Sequence, residues 1–191
     1  MDLSEHLYGT TSVGSVFELT PDQSGASYVF KVLYSFCGGE CAAPQTLPSG
    51  LVSDRSGSLY GTTFFLGANH CGSVFELTPN STRTEWTETD LYSFRCGFGN
   101  PVVGLATDAS GNLYGIASDT VFELIRHPAD NTYSDRVLYT FCPAGFRGCS
   151  DVNPRGGLVF DGGGNLYGTT VAGGLSGETA TYGGTVFALK R

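Results

Sequence analysis

The stretch Leu59-Tyr60-Gly61-Thr62-Thr63 is written, with small changes, four times in this chain. It returns as Leu7-Tyr8-Gly9-Thr10-Thr11, as Leu113-Tyr114-Gly115-Ile116-Ala117 and as Leu166-Tyr167-Gly168-Thr169-Thr170. The successive tyrosines Tyr8, Tyr60, Tyr114 and Tyr167 stand 52, 54 and 53 residues apart. A fixed period of that size means one supersecondary unit used repeatedly, which removes most architectures from consideration.

Each unit reads as four short strands divided by turn signals. The first is Gly50-Leu51-Val52, matched by Gly104-Leu105-Ala106 and Gly157-Leu158-Val159-Phe160. The Leu-Tyr-Gly stretch is the second. The third runs from Ser15 to Leu19, Ser73 to Leu77, Thr120 to Leu124 and Thr185 to Leu189. The fourth closes on Phe36, Phe94 and Phe141. Between the first and second strands lies an Asp-x-x-Gly turn at Asp54, Asp108 and Asp161. An aspartate that bonds its own backbone, followed by glycine, makes a tight hairpin turn. A single carboxylate per turn is too few for a calcium site, so turn chemistry is the stronger reading.

Tyr28, Trp86 and Tyr133 each precede the closing phenylalanine by eight residues. Stepping by two from Tyr28 meets Phe30, Val32, Tyr34 and Phe36, which predicts one packed strand face. Asp2 precedes Leu7 as Asp54 precedes Leu59, so the first unit is expected to lack its initial strand. Arg191 directly follows the third strand of the last unit. The expected tally is therefore three, four, four and three strands. The repeats span about 1–49, 50–103, 104–156 and 157–191, a single repeat domain 1–191. Four-stranded units of this length predict an all-β, β-propeller-like fold of about four meander blades, either a strained closed ring or an incomplete one. Unpaired strands at the two ends then invite self-association, and the chain is expected to be a piece of a longer product.

The net charge of −8 lacks the basic footprint that nucleic acid or an anionic membrane requires. No apolar run is long enough for membrane insertion, and residues 1–6 do not read as a leader. Six cysteines fall in loops, which points to an oxidising, extracellular or cell-surface setting.

The order G-L-V-x-D-x-x-G-N-L-Y-G-T-T, then G-T-V-F, is most complete from Gly157 to Thr170 and from Gly184 to Phe187. With V-L-Y-S-F at Val32 to Phe36, this pattern resembles the GloVer tandem repeat of bacterial choice-of-anchor proteins. More distantly it is similar to NHL-type propeller repeats. The resemblance covers nearly the whole chain and implies an exported, surface-displayed, propeller-like array. It carries no catalytic residues.

In a meander unit, the second-to-third and fourth-to-first connections share one face. These are the long, variable loops here, and they hold all six cysteines. Register within the repeat pairs Cys37 with Cys41, Cys71 with Cys96 and Cys142 with Cys149. Cys37-x-x-x-Cys41 is half a zinc pattern, but no second pair or nearby histidine accompanies it, so disulfides are favoured over metal. The same loops carry Phe64, Phe65, His70, Arg95, Phe98, Phe146, Arg147 and Arg155. Aromatic and arginine side chains in loops are the types enriched at recognition hot spots, although phenylalanines also plug their own loops.

Glu18, Glu76 and Glu123 recur at one repeat position, replaced by Ala188 in the fourth, and read as solvated edge residues. No nucleophile elbow, phosphate loop or zinc-protease signature is present. The sequence therefore predicts a non-catalytic exported module that binds or displays a partner protein or glycan, without cofactor. One alternative is a propeller enzyme of glycan lyase, hydrolase or lactonase type working at a central channel. Against it, the first-strand segments offer that channel little histidine or glutamate. The other alternative is a structural slice of a longer array.

Overall fold

The structure, a computed structural model, describes residues 6–36, 50–96, 100–141, 154–172 and 183–190. Within them the protein is all-β, with fourteen strands in four antiparallel sheets. The first sheet is β1 (Leu7–Thr10), β2 (Ser15–Pro21) and β3 (Tyr28–Ser35). The second is β4 (Val52–Ser53), β5 (Leu59–Thr63), β6 (Ser73–Pro79) and β7 (Trp86–Ser93). The third is β8 (Ala106–Thr107), β9 (Leu113–Ala117), β10 (Thr120–His127) and β11 (Thr132–Thr140). The fourth is β12 (Val159–Phe160), β13 (Leu166–Thr169) and β14 (Val186–Leu189). In every sheet the strands lie side by side in chain order, the short-range pairing that hairpin turns impose. The chain divides into two compact units, Met1–Ser93 and Phe94–Arg191.

Pairing registers give every sheet the same two faces. Tyr8 lies opposite Glu18 and Thr10 opposite Val16, on what we term the Tyr face. Leu7 opposite Leu19, and Gly9 opposite Phe17, define the Leu face. The second, third and fourth sheets repeat this register, with Ala188 in the glutamate position of the fourth.

The glycine of the Leu-Tyr-Gly motif follows from this register. A Cβ on Gly61 would lie 2.6 Å from the Phe75 ring and 2.9 Å from Leu51. On Gly115 it would lie 2.5 Å from Phe122 and 3.0 Å from Leu105. The tip of the phenylalanine ring lies over bare backbone, beside the leucine of the first strand. Only glycine leaves that space.

Within the first unit, the Tyr face of the first sheet packs on the Leu face of the second. Val16, Leu59, Phe75, Leu77 and Trp86 form the core, with Tyr8, Tyr34, Phe36 and Leu51 against it. The Phe36 ring meets Phe75 edge-on at 4.8 Å. The second unit builds the same joint from other residues. Tyr114, Ile116 and Val121 of the third sheet bury against Leu158 and Leu166 of the fourth, with Phe187 and Leu189 packed alongside. There Phe141 meets Phe187 at 4.9 Å, while on the Leu face of the third sheet Phe94 meets Phe122 at 5.2 Å. Each such edge-to-face pair adds about 0.5–1.5 kcal/mol to the burial of its rings.

One expectation about the fourth strand needs correction. Tyr34 pairs with Val16 but Val32 pairs with Phe17, so a β-bulge at Leu33 sends Tyr34 and Val32 to opposite faces. The same bulge falls at Leu91 and Leu138. Simple alternation therefore stops short of the closing aromatic residues, because a bulge puts two residues opposite one. Trp86 is buried against Tyr8 as a packing residue, but Tyr28, Phe30 and Val32 stand about half exposed.

Candidate functional site

The Asp-x-x-Gly turns behave as the sequence predicts. Asp108 Oδ1 accepts the backbone N–H groups of Ser110 at 2.9 Å and Asn112 at 3.0 Å. Asp54 and Asp161 do the same for Ser56 and Ser58, and for Gly163 and Asn165. Gly111 adopts a φ of 82°, the left-handed conformation the turn requires. The second carboxylate oxygen has a further task that the sequence did not reveal. It accepts from a tyrosine hydroxyl: Tyr60 to Asp54 at 3.2 Å, Tyr114 to Asp108 at 2.9 Å, Tyr167 to Asp161 at 3.1 Å.

The repeated glutamates complete this network and are not solvated edge residues. Glu123 is 1% exposed and Glu18 is 8% exposed. Tyr114 Oη lies 2.7 Å from Glu123 Oε1, Tyr60 Oη 2.9 Å from Glu76 Oε1, and Tyr8 Oη 3.1 Å from Glu18 Oε1. Arg136, opposite Glu123 in register, forms an ion pair with it. His6 Nδ1 lies 2.7 Å from Glu18. Buried carboxylates persist only when hydrogen-bonded or paired, and here the phenol and the cation meet that requirement. Burial, then the adjoining carboxylates of Glu123 and Asp108, push the Tyr114 hydroxyl far above the ordinary tyrosine range. It stays neutral at any physiological pH and acts as a fixed donor. A signal for this network was present in the sequence: tyrosine, aspartate and glutamate each keep a fixed repeat position.

The loop 64–72 between β5 and β6 is built from backbone bonds. The His70 N–H donates to the Gly67 carbonyl at 3.1 Å and the Gly72 N–H to that of Leu66 at 2.9 Å. The Ala68 N–H donates to Ser93 Oγ at 2.9 Å, and that hydroxyl donates to Asp90. On this frame Phe64 and Phe65 pack edge-on at 4.6 Å. Phe64 is half-buried and Phe65 is 44% exposed. His70 is exposed with a φ of 54°. Cys71 and Cys96 are joined by a disulfide, the pairing read from the sequence register.

Arg95 is exposed directly after the buried Phe94, and Arg155 is exposed beside Pro154. Phe98, Phe146 and Arg147 lie outside the described residues, as do Cys37, Cys41, Cys142 and Cys149. Thus the structure brings Phe64 and Phe65 together and places His70 on their loop. In the second unit, Tyr114, Leu138, Leu166, Ala188, Leu189 and Lys190 line an open cleft of about 390 Å³. Its walls are mostly apolar, and among the described residues that line it Lys190 alone carries a formal charge.

Among the described residues no group of three or more His, Cys, Asp or Glu side chains is placed to hold a metal ion. Nor, among them, is any helix long and apolar enough to cross a membrane. The class these features define is an all-β protein of four repeated antiparallel sheets with a disulfide. No family model and no curated protein matches the chain. Among solved structures it is similar to a luciferin-regenerating enzyme, at 18% identity and a TM-score of 0.54. The match covers 86% of this chain and 51% of that one, so this chain spans about half the neighbour's length.

Proposed function

We propose that this protein is an exported, propeller-like repeat module whose loop face binds a partner protein or a glycan. The single observation that carries this reading is the 64–72 loop. It holds an exposed aromatic ring on a frame of backbone hydrogen bonds, next to a cysteine fixed in a disulfide. Preorganised aromatic groups bind with little ordering cost, and their rings suit sugar faces or apolar side chains. The disulfide supports an extracellular or cell-surface setting. The sheet order and the half-length likeness support the propeller-like reading, and the four motif copies support a GloVer-type repeat. Phe98, Arg95, Phe146, Arg147 and Arg155 belong to the same proposed recognition residues. The repeated carboxylates support binding over catalysis, because they are engaged by turn amides, phenols and Arg136.

The test is a glycan array followed by titration of any hit with the intact chain. Replacing Phe65 and His70 together by alanine should weaken binding at least about tenfold, as hot-spot truncation does, with an unchanged melting temperature. A hit bound equally well by the double variant overturns the reading.

A second reading rests on the enzyme neighbour and on the 390 Å³ cleft. Under it, the chain turns over a small, largely apolar substrate such as a lactone, with Lys190 at the rim attracting an acidic group. Turnover by the purified chain that is lost when Ala188→Trp fills the cleft would establish it.

A further inference from the structure

The joint between sheets is directional, since a Tyr face always seats on a Leu face. The first joint lies within one unit and the equivalent joint within the other. Two faces of the same kinds are left exposed. On the fourth sheet, Val186 of the Tyr face is 77% exposed, whereas its counterparts Val16, Val74 and Val121 are all at 0%. Val159, paired with Tyr167 on that face, is 62% exposed. On the first sheet, Phe17 and Leu19 of the Leu face are only half-buried where Phe75, Leu77, Phe122 and Leu124 are at 0–1%, and Tyr28 and Phe30 beside them are 51% and 56% exposed.

The residues at these two faces differ from their interior equivalents in one direction. The fourth sheet carries Ala188 where the others carry Glu18, Glu76 and Glu123. The first sheet carries Phe30 opposite Leu19 where the second carries Glu88 and the third Asp135. Burial already pushes the Glu88 carboxyl up, the mark of a charged group that is costly to cover. At each exposed face a carboxylate has been exchanged for an apolar side chain. Exposed apolar faces of this extent mark interaction surfaces.

We infer that the Tyr face of the fourth sheet docks on the Leu face of the first sheet of a second copy, giving a head-to-tail dimer. The two faces are the complementary halves of a joint this sequence already makes twice, which singles out the second copy among possible occupants. Such a contact is heterologous: the residues it uses on one copy differ from those on the other. It stands independently of what the loop face binds.

The experiment is sedimentation velocity on the intact chain over a range of concentrations, with Phe30→Lys and Val186→Lys. Both positions are exposed, so the variants should keep the wild-type circular dichroism, and the wild-type melting temperature at concentrations where the wild type is monomeric. The wild type should rise toward twice the 20.1 kDa monomer mass. Each variant should associate about tenfold to a hundredfold more weakly, the effect of losing one buried apolar side chain to a charge. Mixing the two should restore a dimer, since one supplies an intact Tyr face and the other an intact Leu face. A wild type that stays monomeric overturns the inference. So does a pair of variants in which only one is impaired, which would mean like faces meeting. Variants that remain monomeric when mixed would also overturn it.

Discussion

The third and fourth sheets carry nearly the same residues in the same register, yet their side chains sit in different surroundings. Val121 is fully buried and its equivalent Val186 is mostly exposed. Tyr114 is fully buried between two carboxylates, while among the described residues Tyr167 bonds Asp161 alone, because Ala188 has replaced the glutamate. The cause of the upward pKa shift differs accordingly. At Tyr114 desolvation comes first, and at Tyr167 the bond to Asp161 does. The comparison separates what the motif does by itself from what covering adds. The turn and the Tyr–Asp bond form in both sheets. The buried Tyr–Glu–Arg network belongs to a sheet covered on both faces.

The largest effect should come from Gly115→Ala. Its Cβ would enter the Phe122 ring where both ring and backbone are buried, an overpacking cost of about 3 kcal/mol. Gly168→Ala meets Phe187 equally closely, but that ring lies in a less covered sheet and can yield, so urea denaturation should show a smaller loss. Next is Tyr114→Phe, which leaves Glu123 and Asp108 with one donor fewer and should cost about 1–3 kcal/mol. Tyr167→Phe should leave the midpoint essentially unchanged.

The same contrast has a pH form. The Tyr114 phenol is raised in the folded state, so its contribution is present below the ordinary tyrosine value, about 10, and is lost as pH rises beyond it. Melting temperature should therefore fall on the alkaline side in the wild type, and less steeply in Tyr114→Phe. The smallest effect belongs to Glu88, raised by burial and by Asp90. Its neutral form favours the fold, so stability is lost as pH rises through its elevated value. Glu88→Gln should flatten that part of the profile.

Much of the strand plan was legible in the sequence, for reasons local to each segment. Alternation, Asp-x-x-Gly turns and the fixed period are short-range signals, and the strand tally of three, four, four and three follows from them. The Cys71–Cys96 pair was legible because both cysteines hang on strand ends whose register the repeat fixes. The glutamates were misread because alternation shows which face Glu123 occupies but not that another sheet covers it. The bulge at Leu33, Leu91 and Leu138 was invisible because one extra residue leaves no compositional mark. The exposure of Phe30 and Val186 lay beyond reach for a similar reason. Their side chains are of core type, and only the arrangement of sheets decides whether a core forms around them.

The central claim is that a sheet of this repeat becomes rigid when both of its faces are covered. Amide hydrogen exchange tests it most directly, by comparing β10 with β14 in the monomeric chain. The account predicts that the amides of Phe122 and Leu124 exchange only through global unfolding, while those of Phe187 and Leu189 exchange through cheaper local opening, at least about a hundredfold faster. Equal protection in the two strands would contradict it.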